Sequence, residues 1–230
     1  LTDLTRKHGA LMLWDASHAV GAIEMDFDKN GVDIAVGCTY KYGNSGPGSP
    51  AWLYVNKKVQ AQLQVPIQGW FSQGDQFAMG PNFEKAEGIR GFQIASPSLI
   101  GLRCIKSAFS MIEEAGIGAI SEKAAIGTEM MIQLYDAWLA DLGFTLLTSR
   151  NPQERGGHIS LGHPDAARIC VALREFADVI PDYRTPNSIR LAIAPLPTSY
   201  VEVWDGFARI RDLVSSRQYE KIEKTDSRVT

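Results

Sequence analysis

Residues 32–55 read VDIAVGCTYKYGNSGPGSPAWLYV, and the fold is decided in this stretch. The run Val32 to Cys38 is short, apolar and rich in β-branched residues, the composition of a buried strand. It passes directly into Thr39, Tyr40, Lys41 and Tyr42, then into the Gly/Pro/Ser loop 43–50, and a second strand-like run follows at 51–55. A similar unit stands upstream, where the apolar run Leu11 to Trp14 stops abruptly at Asp-Ala-Ser-His. Two apolar strands that each deliver polar residues at their C-terminal ends predict an α/β sheet with a ligand site at that edge.

The rest of the chain fits such a domain and adds a second one. Between Val59 and Gly91 the sequence is irregular and polar, with Trp70, Phe71, Phe77 and Phe83, a length of loop that usually covers or serves a site. From Pro97 to about Leu142, Leu99, Leu102, Ile105, Phe109 and Ile112 recur at helical spacing, and Gly116-Ile117-Gly118 predicts a break into two long helices. Strand-like runs at 144–148, 158–161 and 188–194 then alternate with helical ones at 164–176 and 201–216. This predicts a division into residues 1–115, part of a larger domain, and 116–230, a smaller C-terminal α/β domain. The charged tail beyond Arg217 is expected to fray. Leu1 opens a helix-like LTDLTRKHG segment, so the numbering is expected to begin inside a domain.

Composition narrows the function. The 230 residues carry 23 basic and 26 acidic side chains, a net charge of −3 that argues against nucleic-acid binding. No apolar stretch approaches the roughly 20 residues that cross a bilayer, and no signal pattern opens the chain, so membrane and secretory roles are not expected. Cys38, Cys104 and Cys170 are widely spaced, without metal-ligand spacing; a reducing, cytoplasmic setting and no metal are expected.

Lys41 is the most informative residue. A lysine at a strand end, between two tyrosines, is expected to be partly desolvated, which favours the neutral amine that condenses with an aldehyde. Alternatively it snorkels at the strand end. Asp15 ends the neighbouring strand 26 residues upstream, and a buried carboxylate needs a partner. A protonated pyridine nitrogen would serve, as in pyridoxal phosphate sites; the alternative is that Asp15, with Ser17, caps a following helix.

These segments carry a resemblance. WDASHAVGAIEMDF (14–27), AVGCTYKYGNSGPGSPAW (35–52), GW (69–70) and IRLAIAPL (189–196) resemble kynureninase, a pyridoxal phosphate enzyme of fold type I, over most of the chain. D-x-S-H followed by CTYKYxNxGPGxPA is specific to that family; cysteine desulfurases and class V aminotransferases usually have Gln in place of His18. The resemblance implies that Lys41 binds the cofactor aldehyde, Asp15 pairs with the ring nitrogen, His18 lies near the cofactor, and Tyr40 contacts the phosphate and relays a proton. Trp70 and Ser96 would reach the phosphate region across a homodimer interface, although a rim aromatic and a helix N-cap are equally open readings. Arg190 would clamp the substrate α-carboxylate, since a guanidinium offers a planar bidentate match; the alternative is an internal salt bridge.

The activity implied is hydrolysis of the Cβ–Cγ bond of L-kynurenine, or 3-hydroxykynurenine, to anthranilate or 3-hydroxyanthranilate and L-alanine, a step of tryptophan catabolism. Departures from the family pattern leave a different amino-acid substrate open: Phe71-Ser72-Gln73 follows GW where Gly-His is common, Pro197 replaces an aromatic, Ser96 replaces Asn or Thr, and Gly162 replaces Arg in RGGHISLGHPDA. His158 and His163 are read as structural, and Cys38 as a small strand residue. Family members place a ring-stacking aromatic and a phosphate cradle before the aspartate, so the chain is expected to be a fragment. Another fold type I enzyme, a desulfurase or aminotransferase, and a catalytically silent relative are the competing readings.

Overall fold

A computed structural model describes residues 1–224 of the chain, which divides into two compact units, Leu1–Glu114 and a second from Ala115 onward. In the first, β1 (Leu13–Asp15) pairs in parallel with β2 (Ile34–Gly37), which pairs antiparallel with β3 (Trp52–Val55). The parallel register sets Asp15 beside Val36, so both strands end at one edge. Trp52 lies over Gly37, where a Cβ would sit 2.6 Å from the indole, and Phe27 packs on Trp52 and Tyr54. The opening segment forms α1 (Thr2–Lys7), with Gly9 beyond it at φ +71°; Arg6 pairs with Asp33 at 2.8 Å. A single turn, α2 (Lys57–Gln60), follows β3, and 59–91 is irregular apart from short 3-10 turns and one bridge between Gln73 and Lys85.

Two expectations change here. The strand before Asp15 is not a buried one: Leu13 is 57% exposed and Leu11 is exposed as well. No helix follows Asp15 either. Its carboxylate accepts from the Ser17 N–H at 2.9 Å in a local turn, because Ala19 and Val20 both bond back to the Ala16 carbonyl and the chain then turns at Gly21 (φ +79°).

The long α3 (Leu99–Ala115) closes the first unit and backs the Lys41 loop. Gly101 approaches Pro50 so closely that a Cβ would lie 2.5 Å from its ring, and Phe109 meets Gly43. Ser98, not Ser96, caps this helix, through the Gly101 N–H at 3.1 Å. The break falls at Gly116 (φ +81°), a conformation that glycine adopts without steric cost.

The second unit holds α4 (Ile117–Leu134), α5 (Ala166–Phe176), α6 (Tyr200–Ser215) and an antiparallel sheet of β4 (Thr145–Leu146), β5 (His158–Gly162), β7 (Ser188–Ala192) and β6 (Asp182–Arg184), in that order. Alternation divides the sheet. Ile159, Leu161, Ile189 and Tyr183 are buried in the core with Ile169, Leu173, Phe207 and Ile210, whereas His158, Ser160, Arg190 and Asp182 belong to the opposite, half-buried face. A capping box between Ser199 and Glu202 starts α6. At Gly162 a Cβ would sit 2.6 Å from the Thr145 hydroxyl, so a larger side chain has no room without a shift there. Part of the tail is not frayed: Gln218–Lys221 forms a 3-10 turn, Tyr219 and Ile222 pack on the core, and Arg168 bonds the Glu220 and Ile222 carbonyls. The expectation for 225–230 lies outside the described residues.

Candidate active site

The turn after β1 and the turn after β2 are tied to each other. The Cys38 N–H donates to the Ser17 hydroxyl at 3.3 Å, and the Ala16 N–H to the Val36 carbonyl at 2.8 Å. Gly21 lies directly on the Tyr42–Gly43 peptide: a Cβ would stand 2.3 Å from the Tyr42 oxygen. Only glycine, with its positive φ and missing side chain, permits that approach.

This interlock gathers Asp15, His18, Tyr40 and Lys41 at one edge. Hydrogen bonding from Ser17, through its side chain and its backbone N–H, holds the Asp15 carboxyl below the usual range against slight desolvation, and the nearby Lys41 and His18 charges add to the effect. Asp15 is exposed rather than buried, Lys41 is half-buried, and its amine lies 5.8 Å from the ring centroid of the exposed Tyr40. The His18 ring meets Tyr42 edge-on at 6.3 Å. An ionised carboxylate and a primary amine, both open at adjacent strand ends, form a donor set that fits an aldehyde carrying a basic ring nitrogen.

Trp70 and Ser96 form a second group. Gly69 leans on Ile94 so tightly that a Cβ would fall 2.0 Å from its carbonyl oxygen, which brings the Trp70 turn beside the segment carrying Ser96. Trp70 is half exposed, edge-on to Phe71 and Phe77, and donates to the Gln76 carbonyl at 2.7 Å; Ser96 is exposed. Among the described residues no hydrogen bond or ring contact joins either one to the Asp15–Lys41 group.

Arg190 lies in the second unit, where β7 sets it directly opposite Asp182 of β6, and the two form an ion pair. Arg184 grips the same carboxylate oxygen at 2.7 Å. Asp182 was not among the residues read from sequence, although its position eight residues before Arg190 suits two paired antiparallel strands. His158 shares this face, and burial, then the Arg190 and Arg184 charges, push its pKa down. His163 is buried against Phe144, accepts from the Asp165 N–H at 3.0 Å at the start of α5, and is likewise pushed down by burial. Cys104 lies on α3, and burial pushes the Cys170 thiol up to about 12.

Residues 120–210 match the family described as the kynureninase C-terminal domain. Over 223 residues, 96% of the chain, the sequence is 40% identical to a kynureninase of Geobacillus thermodenitrificans, and over 97% it is 32% identical to one of Pseudomonas fluorescens. Along nearly its whole length, then, the chain is similar to kynureninases. It spans about half the length of these kynureninase relatives, 52% and 53% respectively. Among solved structures it is similar to cysteine desulfurases of Escherichia coli (TM-score 0.73, 12% identity, 94% of this chain and 54% of that one) and Thermococcus onnurineus (0.72, 18%, 94% and 55%). At those identities the likeness speaks for the fold alone, which is that of the fold type I, class V pyridoxal phosphate enzymes.

Proposed function

We propose that the protein is a pyridoxal phosphate-dependent hydrolase that cleaves the Cβ–Cγ bond of L-kynurenine to anthranilate and L-alanine. The observation that carries this reading is the pairing of Asp15 and Lys41 at the ends of two parallel strands, with Ser17 keeping the carboxylate ionised. When bound, pyridoxal phosphate supplies an aldehyde for covalent attachment and a cationic ring that withdraws electrons from the substrate's Cα and Cβ.

The chain's own residues do the rest. Asp15 holds the ring nitrogen protonated, and the Lys41 amine takes the Cα proton. Arg190 binds the α-carboxylate in the planar geometry a guanidinium favours, which requires it to share or release Asp182. Water adds to the Cγ carbonyl; its oxygen leaves in the anthranilate carboxylate, and the Tyr40 hydroxyl delivers the proton that completes the alanine methyl group. Trp70 and Ser96, already on adjacent segments, would hold the phosphate end across a homodimer interface. In this reading residues 1–115 are part of the cofactor-binding domain and 116–230 the small domain of a cytoplasmic enzyme.

Anthranilate fluorescence released from L-kynurenine by the complete protein tests the assignment, with 3-hydroxykynurenine run beside it. Release that disappears in Lys41→Ala is expected. Cofactor binding without release from either substrate contradicts the assigned substrate.

A further inference from the structure

We propose that Thr39, Ser45 and Ser49 form a hydroxyl clamp whose role is to position Lys41, an inference that rests on Lys41 being the cofactor-binding amine. The loop between β2 and β3 turns through the left-handed region at Asn44 (φ +55°), Gly46 (+78°) and Gly48 (+84°), and at Asn44 it does so without glycine's freedom. Backbone of that kind persists only where its surroundings over-determine it. Here three hydroxyls do so.

The Ser45 hydroxyl and the Ser45 N–H both donate to the Thr39 carbonyl, at 2.5 and 3.2 Å. The Thr39 hydroxyl donates to the Pro50 carbonyl at 2.7 Å and so closes the mouth of the loop. Ser49 donates to the Gly46 carbonyl at 2.7 Å, and its oxygen lies 2.9 Å from Thr39 Oγ1 and 3.0 Å from Ser45 Oγ. Thr39 and Ser45 are buried, so no solvent competes for these bonds. Within the ring so formed, the Lys41 carbonyl accepts from the Asn44 N–H at 3.0 Å, and Gly43 is pressed between the Thr39 carbonyl and Phe109.

The Lys41 backbone is thereby fixed on both sides while its side chain stays half exposed. A nucleophile held on a rigid base loses less freedom on reaching its reactive geometry.

The test compares Thr39→Val, which keeps the shape and loses the hydroxyl, with Thr39→Ser, which restores it, and adds Ser45→Ala as a milder variant in the complete protein. In the cofactor-free protein, hydrogen–deuterium exchange of the 39–50 peptide is expected to quicken about tenfold in Thr39→Val and Ser45→Ala, the effect of losing one net hydrogen bond, and to stay at the wild-type rate in Thr39→Ser. In the loaded enzyme kcat should fall about tenfold with little change in KM, the pattern of a lost transition-state contribution. Wild-type exchange and kcat in both Thr39→Val and Ser45→Ala overturn the clamp, as does a Thr39→Ser variant as impaired as Thr39→Val. Absence of cofactor on Lys41 in the wild type would instead overturn the functional reading, and the exchange data would still report on the loop.

Discussion

The two sheets of this chain do different work with similar strands. In the first unit the residues with chemistry lie just beyond the strand ends, on turns held by local hydrogen bonds and by glycines pressed against neighbouring backbone, and the Asp15 strand leaves Leu13 exposed. In the second, Ile159, Leu161, Ile189 and Ile193 are fully enclosed, and the one residue assigned to substrate, Arg190, lies mid-strand in a charged network. Positioning in the first therefore depends on close backbone contacts, and in the second on packing and strand register.

The largest effect is expected in the second core. Ile159→Ala should cost about 2–5 kcal/mol, because a cavity in a fully packed site relaxes little; the urea midpoint reads this, and a loss below about 1 kcal/mol would mean a looser core than described. Gly21→Ala attacks the other kind of support. Its Cβ must displace the Tyr42–Gly43 peptide, so kynurenine cleavage is expected to fall about a hundredfold while unfolding of the second unit hardly moves. Near-normal turnover would show that the interlock is not what places Lys41.

A smaller effect is expected at Arg190→Lys. An ammonium cannot reproduce the planar two-point grip, so KM should rise about tenfold with kcat nearly kept. The smallest concerns pH. Burial lowers the His163 pKa below its unfolded value, so between those two values the unfolded chain binds the proton and the folded chain does not. That contribution is complete above about pH 6.5, the unfolded value, and is lost as pH falls toward the folded one. Urea midpoints should decline from pH 7.5 to 5, and His163→Gln should flatten part of that slope.

Much of this was legible in the chain. Short apolar runs ending in polar residues mark β1 and β2, and the Gly116 break separates α3 from α4 where the periodicity stops. β6 was not legible, because Asp-Tyr-Arg offers a single apolar residue, and neither was the tail's docking, since Tyr219 and Ile222 are spaced among charges that face solvent. At the site, Lys41 and Asp15 stand out by position. The Asp182 partner of Arg190 and the Ser45 and Ser49 hydroxyls do not, because register and loop closure, not residue type, bring them to their partners.

The central claim, that Lys41 carries pyridoxal phosphate beside an ionised Asp15, is tested most directly by borohydride reduction of the complete protein loaded with the cofactor, followed by peptide mapping. A pyridoxyl group on Lys41 is expected, and its loss in Lys41→Ala. A label on another lysine, or none, would contradict it.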